Sequence, residues 1–375
     1  MKKSIFITST DIMMMHFLVP HIRHFRSLGY DVTVACSDVG DRVSDIKAAV
    51  DNQVKVHVVN LVRNPFTLSN IKGYNELKEI INNGNFTHVL TNEPVMGVMT
   101  RLASKNARKR GTKVIYTSHG FHFYEGASII NWLIYYTVEM LMQRYTDKLV
   151  TVNNEDYKFA KKKYKIPVCI IPGVGVSDER YFYADEDAKN NLRDKLGYKK
   201  DAYIIIASGE LNDNKNQKMI IDAIELLKDK MPNVKLLLAG KGVNKDFLVN
   251  CIKSKNLTDK VNLIGYKADL ENYVQMSDMV VSASIREGLG LNIIEAMATG
   301  KPVVASLNRG HKELIKSGEN GFLFDLNNTA EFADRIFQIY NDKNLSRKFS
   351  KKTLEMAKPF MLPNILGILS DIYII

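Results

Sequence analysis

Residues 279–306 constrain the fold of this chain more than any other segment. They open with a run of five apolar or small residues that is typical of a buried parallel strand. A turn containing Gly288 and Gly290 follows, and the pattern predicts a helix from about Leu291 to Gly300 with a further strand after it. Such a strand, glycine turn and helix N-terminus form an anion site, because unpaired N–H groups and the positive end of the helix dipole converge there.

Two glutamates frame this turn. Glu287 lies in the turn and Glu295 about one turn inside the predicted helix, where carboxylates can accept hydrogen bonds from sugar hydroxyls. The layout suits a phosphate flanked by two sugars, although glutamates eight residues apart are also frequent by chance. Residues 284–305 as a whole resemble the E-x7-E signature of family 4 glycosyltransferases, which have the GT-B fold.

Length and composition are those of a two-domain globular protein. The chain has 375 residues, of which 45% are hydrophobic and 25% charged. No apolar run reaches the roughly 18 residues that span a bilayer, and we expect no signal peptide. The three cysteines are scattered, which predicts neither a disulfide framework nor a zinc site and favours a reducing cytoplasm.

The positive charge is concentrated in the first half. The net charge is +11, and residues 1–175 hold 23 Lys and Arg against 14 Asp and Glu. This bias suits nucleic acid, an anionic membrane surface or simple solubility. Because we find no nucleic-acid-binding motif, we expect no nucleic acid partner.

Strand and helix patterns alternate along the first half, which predicts a parallel α/β sheet. His119 follows the predicted strand 114–117, at the kind of position where such sheets carry functional groups. A lone histidine there is more often structural. Family 4 enzymes commonly carry a histidine in this loop, however, and residues 118–136 resemble the subgroup that builds bacterial capsular and exopolysaccharide units. The resemblance implies a catalytic contact of His119 with the donor sugar and places His16 and His122 on the acceptor side.

Residues 129–142 are very apolar and aromatic, and they precede a lysine-rich segment, 158–165. Two interpretations are open for residues 129–142. They form either a helix buried against the sheet, which we favour slightly for most of the segment, or a helix lying in a membrane interface. In both cases we expect the lysines to form a solvated face.

The second half restarts the same pattern with a strand at 203–207 and a loop containing Lys215. In family 4 this loop usually supplies an arginine and a lysine to the donor diphosphate. Lys215 matches the lysine, but Glu210 stands where arginine is usual. Arg286 and Arg309 are candidates for the missing cation.

Further glycine turns resemble family segments near the nucleotide. The residues that the resemblance implies for donor binding are Lys215, Glu295, Gly288, Leu289, Gly290, Leu291, Gly209, Glu210, Gly240, Gly242 and Tyr266. Glu287 is implied to contact the transferred sugar and Glu295 the ribose. Residues 310–315 and 318–324 resemble the family's closing segments.

The resemblance implies a GT-B architecture of two Rossmann-like domains facing across a cleft. Residues 1–176 would bind the acceptor, 177–358 would bind the nucleotide-sugar, and the tail 359–375 would cross back onto the first domain as a C-terminal helix. The implied reaction is retaining, metal-independent and cofactor-free transfer from a nucleoside diphosphate sugar, UDP first, to a polyprenyl-pyrophosphate-linked saccharide. It would take place in the cytoplasm at the inner face of the plasma membrane, during capsule, exopolysaccharide or O-antigen assembly.

Two other functions remain open at this point. A nucleotide-sugar 2-epimerase uses the same architecture and needs no acceptor. A non-catalytic partner subunit is suggested by Glu210 alone.

Overall fold

The computed structural model describes residues 3–373. Their contacts divide the chain into two compact units. Unit 1 comprises Met1–Val174 together with Ile365–Ile375, and unit 2 comprises Gly175–Asn364. The sequence places the corresponding boundaries at 176/177 and 358/359.

Unit 1 contains a parallel sheet of seven strands in the order β3-β2-β1-β4-β5-β6-β7. The chain adds β2 and β3 on one side of β1, and β4 to β7 on the other side. The strand order therefore reverses between the neighbours β1 and β4, and their carboxyl ends form a topological switch point. The strands are β1 Ser4–Thr10, β2 Asp31–Ser37, β3 Lys55–Val58, β4 His88–Asn92, β5 Lys113–Ser118, β6 Lys148–Thr151 and β7 Val168–Ile170.

Helices connect these strands, and two of the connections contain a π-helical turn, at Met14–Leu18 and Trp132–Tyr136. The first continuous helical segment starts at Asp11, directly after β1. The helices are α1 Asp11–Met13, α2 Val19–Ser27, α3 Val43–Ala49, α4 Ser69–Asn83, α5 Pro94–Ala103, α6 Lys105–Lys109, α7 Ile129–Asn131, α8 Thr137–Met142 and α9 Asn154–Lys163, with a 3₁₀ turn at Gln143–Tyr145.

Alternate residues of the central strands enter separate cores on the two faces of the unit 1 sheet. Ile5 and Ile7 of β1 pack into one core and Phe6 into the other, as the two-residue period of a strand requires. The C-terminal helix α18 spans Leu362–Tyr373. Its buried residues recur at every fourth position, at Ile365, Leu369 and Tyr373, and they pack into the core that holds Ile5. The return of the C-terminal helix to the first unit is thereby observed.

Unit 2 contains a parallel sheet of six strands in the order β10-β9-β8-β11-β12-β13. Its switch point lies between β8 and β11. The strands are β8 Tyr203–Ser208, β9 Val234–Ala239, β10 Val261–Gly265, β11 Met279–Ser282, β12 Val303–Ser306 and β13 Gly321–Phe324.

The unit 2 helices cover both faces of this sheet, and local sequence explains several of their ends. Asp185 caps the first of them by accepting a hydrogen bond from Ala188 N at 2.9 Å, and Gly197 ends it with φ +78°. The helices are α10 Glu186–Leu196, α11 Gln217–Leu227, α12 Lys245–Ser254, α13 Leu270–Met276, α14 Leu291–Ala298, α15 His311–Leu314, α16 Thr329–Asn341 and α17 Lys343–Ala357, followed by a 3₁₀ turn at Lys358–Phe360.

The favoured interpretation of residues 129–142 is wrong for their aliphatic side chains. Trp132 and Tyr136 do pack against a buried cluster. Ile129, Ile130 and Leu133, by contrast, are 66–78% exposed. The segment is helical, so one side of it faces the core and the other remains open. The lysines of α9 are exposed, as predicted.

Candidate active site

The predicted phosphate turn lies at the switch point of unit 2, where the loops after β8 and β11 meet. Backbone Ile285 N donates to Asn214 O at 2.7 Å, and Asn214 Nδ2 donates to Arg286 O at 3.1 Å. These bonds fix the two loops against each other. The fold thus brings together segments that are about seventy residues apart in sequence, one carrying Lys215 and the other Glu287.

Lys215 and Glu287 form an ion pair at this junction. Lys215 Nζ lies 2.5 Å from Glu287 Oε1, and the two side chains are 22% and 14% exposed. Burial by itself favours the neutral acid, but the charge and hydrogen bond of Lys215 and a hydrogen bond from Ser284 outweigh it and lower the pKa of Glu287. The carboxylate is therefore ionised at neutral pH and the lysine is held in place.

Close backbone approach shapes the loops around this pair. A Cβ atom at Gly240 would lie 1.9 Å from Gly209 O, so only glycine fits where the β9 loop crosses the β8 loop. Gly209 in turn packs on the Lys215 side chain, and Gly242 on the backbone of Leu211. The glycines assigned to the donor site thus hold the lysine loop in its conformation.

Helix α14 begins at Leu291, in the segment that follows Glu287, and Asn292 Nδ2 in its first turn donates to Ser208 O at the end of β8 at 3.4 Å. Its N-cap, Gly290, has φ +90° and supplies no capping side chain. The first amides of a helix have no partner within the helix, so this end offers N–H donors and a positive dipole end to an anion. Gly288 and Leu289 form the preceding turn, and the side chains of Leu289 and Leu291 pack partly into the core.

His311 is a site residue that sequence reasoning missed. It is fully buried at the start of α15, and its ring lies beside Gly290: a Cβ there would be 3.2 Å from His311 Cδ2. The preceding residue, Gly310, abuts Glu287, because a Cβ at 310 would be 2.8 Å from Glu287 Cβ. The one available signal was its place inside the family-like segment 310–315.

Glu295 lies deeper in α14 and next to Tyr181. Burial raises the pKa of Glu295 to about 7, although a hydrogen bond from Tyr181 and the charge of Arg180 act in the opposite direction. Arg180 is itself paired with Glu271 at 2.6 Å. Glu295 is therefore poised between its acid and carboxylate forms near neutral pH, unlike Glu287.

Four other residues discussed for the donor site have different surroundings. Glu210 is exposed, and its backbone carbonyl accepts a hydrogen bond from Gln217 Nε2 at 2.9 Å. Tyr266 is 45% exposed with Lys241 Nζ 6.0 Å from its ring centre. Arg309 is buried, whereas Arg286 is partly exposed in the Glu287 loop.

The histidines assigned from unit 1 lie in three different places. His119 follows β5, and its Nε2 is 3.0 Å from Asn92 Oδ1; burial, with a small effect of His21, lowers the pKa of His119 to about 4. His16 is exposed on the π-helical turn, with Nδ1 2.8 Å from Ile12 O. His122 stacks on Tyr135, with ring centres 4.6 Å apart.

His122 and Tyr135 line a cavity of unit 1 that is about 280 Å³ in volume. Residues 61–63 and 93–96 form other parts of its wall. Glu93 has φ +65° and accepts from Thr10 N at 2.6 Å and Ser9 Oγ at 2.8 Å. The hydrogen bonds hold this residue in a backbone conformation that costs free energy outside glycine.

Two features that would bear on other functions are not found in residues 3–373. No helix there is both long and apolar enough to cross a bilayer. In the same residues, His, Cys, Asp and Glu side chains form no group of three placed to hold a metal ion.

Solved structures with this architecture define the class. The HepE protein of Anabaena in complex with UDP-glucose matches with a TM-score of 0.80 over 99% of both chains at 20% identity, and a glycosyltransferase of Rickettsia africae matches with 0.78 at 22% identity over 99% and 98%. These identities show the fold alone: two parallel-sheet Rossmann-like domains of the GT-B type.

Sequence comparison then gives the family. Residues 19–177 match the model "Glycosyltransferase Family 4", and residues 188–356 match "Glycosyl transferases group 1". The Bacillus subtilis glycosyltransferase EpsD is 37% identical over 99% of this chain and 96% of its own length. An Escherichia coli UDP-Gal:alpha-D-GlcNAc-diphosphoundecaprenol alpha-1,3-galactosyltransferase is 27% identical over 92% and 89%. The chain belongs to glycosyltransferase family 4, and it is a glycosyltransferase.

Proposed function

We propose that this enzyme transfers a sugar, with retention of configuration, from a UDP-sugar to a lipid-linked saccharide during capsule, exopolysaccharide or O-antigen assembly. The observation that carries the proposal is the Lys215–Glu287 pair at the switch point of unit 2, beside the N-terminus of α14. A cation and a helix N-terminus suit a diphosphate, and an ionised carboxylate next to them suits sugar hydroxyls.

Each group has a distinct role in this proposal. The departing diphosphate gains negative charge as the glycosidic bond to it breaks, and Lys215 and the first amides of α14 stabilise that charge without a metal ion. Glu287 accepts hydrogen bonds from the transferred sugar, and Glu295 does so from the ribose. His119, a residue of unit 1, contacts the donor sugar.

Similar proteins support the proposed donor and acceptor. The Anabaena structure contains UDP-glucose, and the Escherichia coli relative uses UDP-Gal and a diphosphoundecaprenol-linked acceptor. In unit 1 the cavity beside His122 is the proposed acceptor site, with Arg63 and Glu93 as its charged wall residues.

We also propose a peripheral position on an anionic membrane, which the surface of unit 1 supports. Exposed apolar side chains lie close in sequence to two parts of the cavity lining: Phe66 and Leu68 follow residues 61–63, and Ile130 and Leu133 precede Tyr135 in the same helical segment. The aliphatic side chains would enter the interface, and the excess of basic residues in 1–175 would bind anionic headgroups.

A ligand screen followed by turnover tests the reaction. UDP, GDP and dTDP, with their common sugars, are compared for the rise they cause in the melting temperature. We expect UDP and one UDP-sugar to give the largest rise, and that UDP-sugar to release UDP only when a polyprenyl-pyrophosphate-linked saccharide is added. Conversion of the donor without acceptor would instead indicate an isomerase, and absence of nucleotide binding would indicate a non-catalytic subunit.

Liposome flotation tests the membrane position separately. Binding should require anionic lipid and should fall when Leu133 and Ile130 are replaced by serine, with the exposed Val243 of unit 2 replaced likewise as the matched control. Equal flotation with neutral and anionic vesicles would contradict the proposed position.

A further inference from the structure

We infer that His311 accepts a hydrogen bond, through Nε2, from a hydroxyl group of the sugar that is transferred, and thereby selects the donor. The inference rests on the proposed function and deepens it at the same site. It starts from a nitrogen atom whose surroundings are unusual for a buried side chain.

The hydrogen bonds of the other ring nitrogen fix the tautomer. His311 Nδ1 lies 2.8 Å from Ser306 O, and a carbonyl oxygen can only accept, so Nδ1 carries the proton. Asn308 Nδ2 also lies 3.0 Å from Nδ1, but it does not need Nδ1 as an acceptor. Its two hydrogens have other acceptors, Ser284 O at 2.9 Å and Ser306 Oγ at 3.3 Å. Asn308 Oδ1 is fixed in turn, because it accepts from His311 N at 2.9 Å. Nε2 is therefore left with a lone pair.

That lone pair is buried and lacks a partner. His311 has no exposed surface, and Nε2 has no hydrogen bond to any group in residues 3–373. Buried polar atoms are almost always satisfied, so an unsatisfied one beside a binding site calls for a partner that the protein itself does not supply. Nε2 faces the α14 turn, since a Cβ at Gly290 would lie 3.6 Å from it. It thus points into the same site as Glu287.

Charge decides which ligand group can meet Nε2. Burial lowers the pKa of His311, more than the nearby Glu287 carboxylate raises it, so the ring is neutral near pH 7. A neutral Nε2 accepts but cannot donate, and diphosphate oxygens also only accept. A hydroxyl group can donate. The ribose is assigned to Glu295, one turn deeper in α14, whereas His311 lies beside Glu287, which is assigned to the transferred sugar.

The test compares the wild-type enzyme with His311→Phe on a matched set of ligands. The probes are UDP, UDP-glucose, UDP-galactose, UDP-N-acetylglucosamine and monodeoxy derivatives of whichever of these binds tightest. His311→Phe should bind UDP as the wild type does but should bind the parent UDP-sugar about tenfold to a hundredfold more weakly. One deoxy position should reduce wild-type affinity to the variant's level and leave the affinity of His311→Phe unchanged.

Controls separate this role from damage to the fold. His57→Phe, on β3 of unit 1, makes the same substitution at a partly buried histidine far from unit 2 in sequence and should leave all affinities unchanged. His311→Gln keeps an acceptor and should recover part of the discrimination. If His311→Phe does not fold, the ¹⁵N resonance of Nε2 in the wild-type protein should shift with the UDP-sugar but not with UDP.

Three outcomes overturn the inference while leaving the proposed function intact. In the first, His311→Phe loses as much affinity for UDP as for the UDP-sugar. In the second, the affinity lost in His311→Phe adds to the affinity lost with every deoxy derivative. In the third, His311→Phe prefers the parent UDP-sugar over the other UDP-sugars as strongly as the wild type does. If the folded wild type binds none of the nucleotides, the proposed function fails and the inference fails with it.

Discussion

Replacing Glu287 with glutamine should strengthen the binding of UDP and at the same time reduce turnover. Lys215 is neutralised by Glu287 at 2.5 Å, so an incoming diphosphate meets a pair with no net charge. Glutamine keeps the size and one hydrogen-bond acceptor but removes the negative charge. The diphosphate then meets an unneutralised lysine, while the transferred sugar loses the carboxylate that is proposed to contact it.

The magnitude follows from the geometry of the pair. A phosphate on Lys215 would lie about 6 Å from the carboxylate, where two unit charges repel by about 1.4 kcal/mol at an effective dielectric constant of about 40. That energy corresponds to roughly tenfold in Kd. The side chains of the pair are 22% and 14% exposed, so salt reduces the effect. We therefore expect UDP to bind about threefold to tenfold more tightly, and turnover to fall by about a hundredfold to a thousandfold.

Calorimetric titration of UDP at low and at high salt measures the affinity change, which should shrink as salt is added. Glu319→Gln is the matched control. It removes the same charge from an exposed turn of unit 2 that precedes β13. This turn lies at the amino ends of the parallel strands, whereas Glu287 lies beyond their carboxyl ends. The reasoning is refuted if a folded Glu287→Gln protein binds UDP no better than wild type, or if Glu319→Gln gains as much.

Three further predictions concern stability. Arg101→Met should lower the free energy of unfolding by about 3–5 kcal/mol in urea titration, because it leaves the almost fully buried carboxylate of Glu139 without its partner at 2.9 Å. Gly240→Ala should cost clearly more than Gly318→Ala in the same assay, since both have positive φ but only the first forces a backbone oxygen to move; Gly318→Ala should cost about 1–2 kcal/mol. Because the folded protein raises the pKa of Glu295 from 4.5 to about 7, its contribution to stability is fully present below pH 4.5 and is lost as pH rises through 7. Glu295→Gln should remove that part of the pH dependence of the melting temperature, and equal slopes in both proteins would contradict the assignment.

Much of the donor side was accessible from sequence because its residues lie in local patterns. The β11 strand, the glycine turn and the start of α14 at Leu291 all follow from apolar runs, glycines and helix stop signals. The family's fold and the class of enzyme followed from the same stretch and are confirmed by the comparisons. The roles of the individual site residues stay predictions.

The remaining features depend on contacts between distant segments. His311 meets Gly290 only because the loops after β11 and β12 end side by side, and nothing in its own neighbourhood in sequence announces a buried, unsatisfied nitrogen. The environment of Glu295 depends on Tyr181, more than a hundred residues earlier. Composition also misled at residues 129–142, because an apolar segment can be helical and still leave one side exposed; a π-helical turn there changes which side chains share a face.

The contribution of α18 to unit 1 bears on the order in which the protein can fold as it is made. Ile365, Leu369 and Tyr373 fill the same core as Ile5, and Tyr373 Oη lies 3.0 Å from Thr117 Oγ1. A growing chain therefore exposes an incomplete apolar face on its first unit throughout the synthesis of unit 2, whose residues are contiguous. Unit 2 can complete its fold first although it is synthesised second. The core of unit 1 is complete only when residues 365–373 have been synthesised.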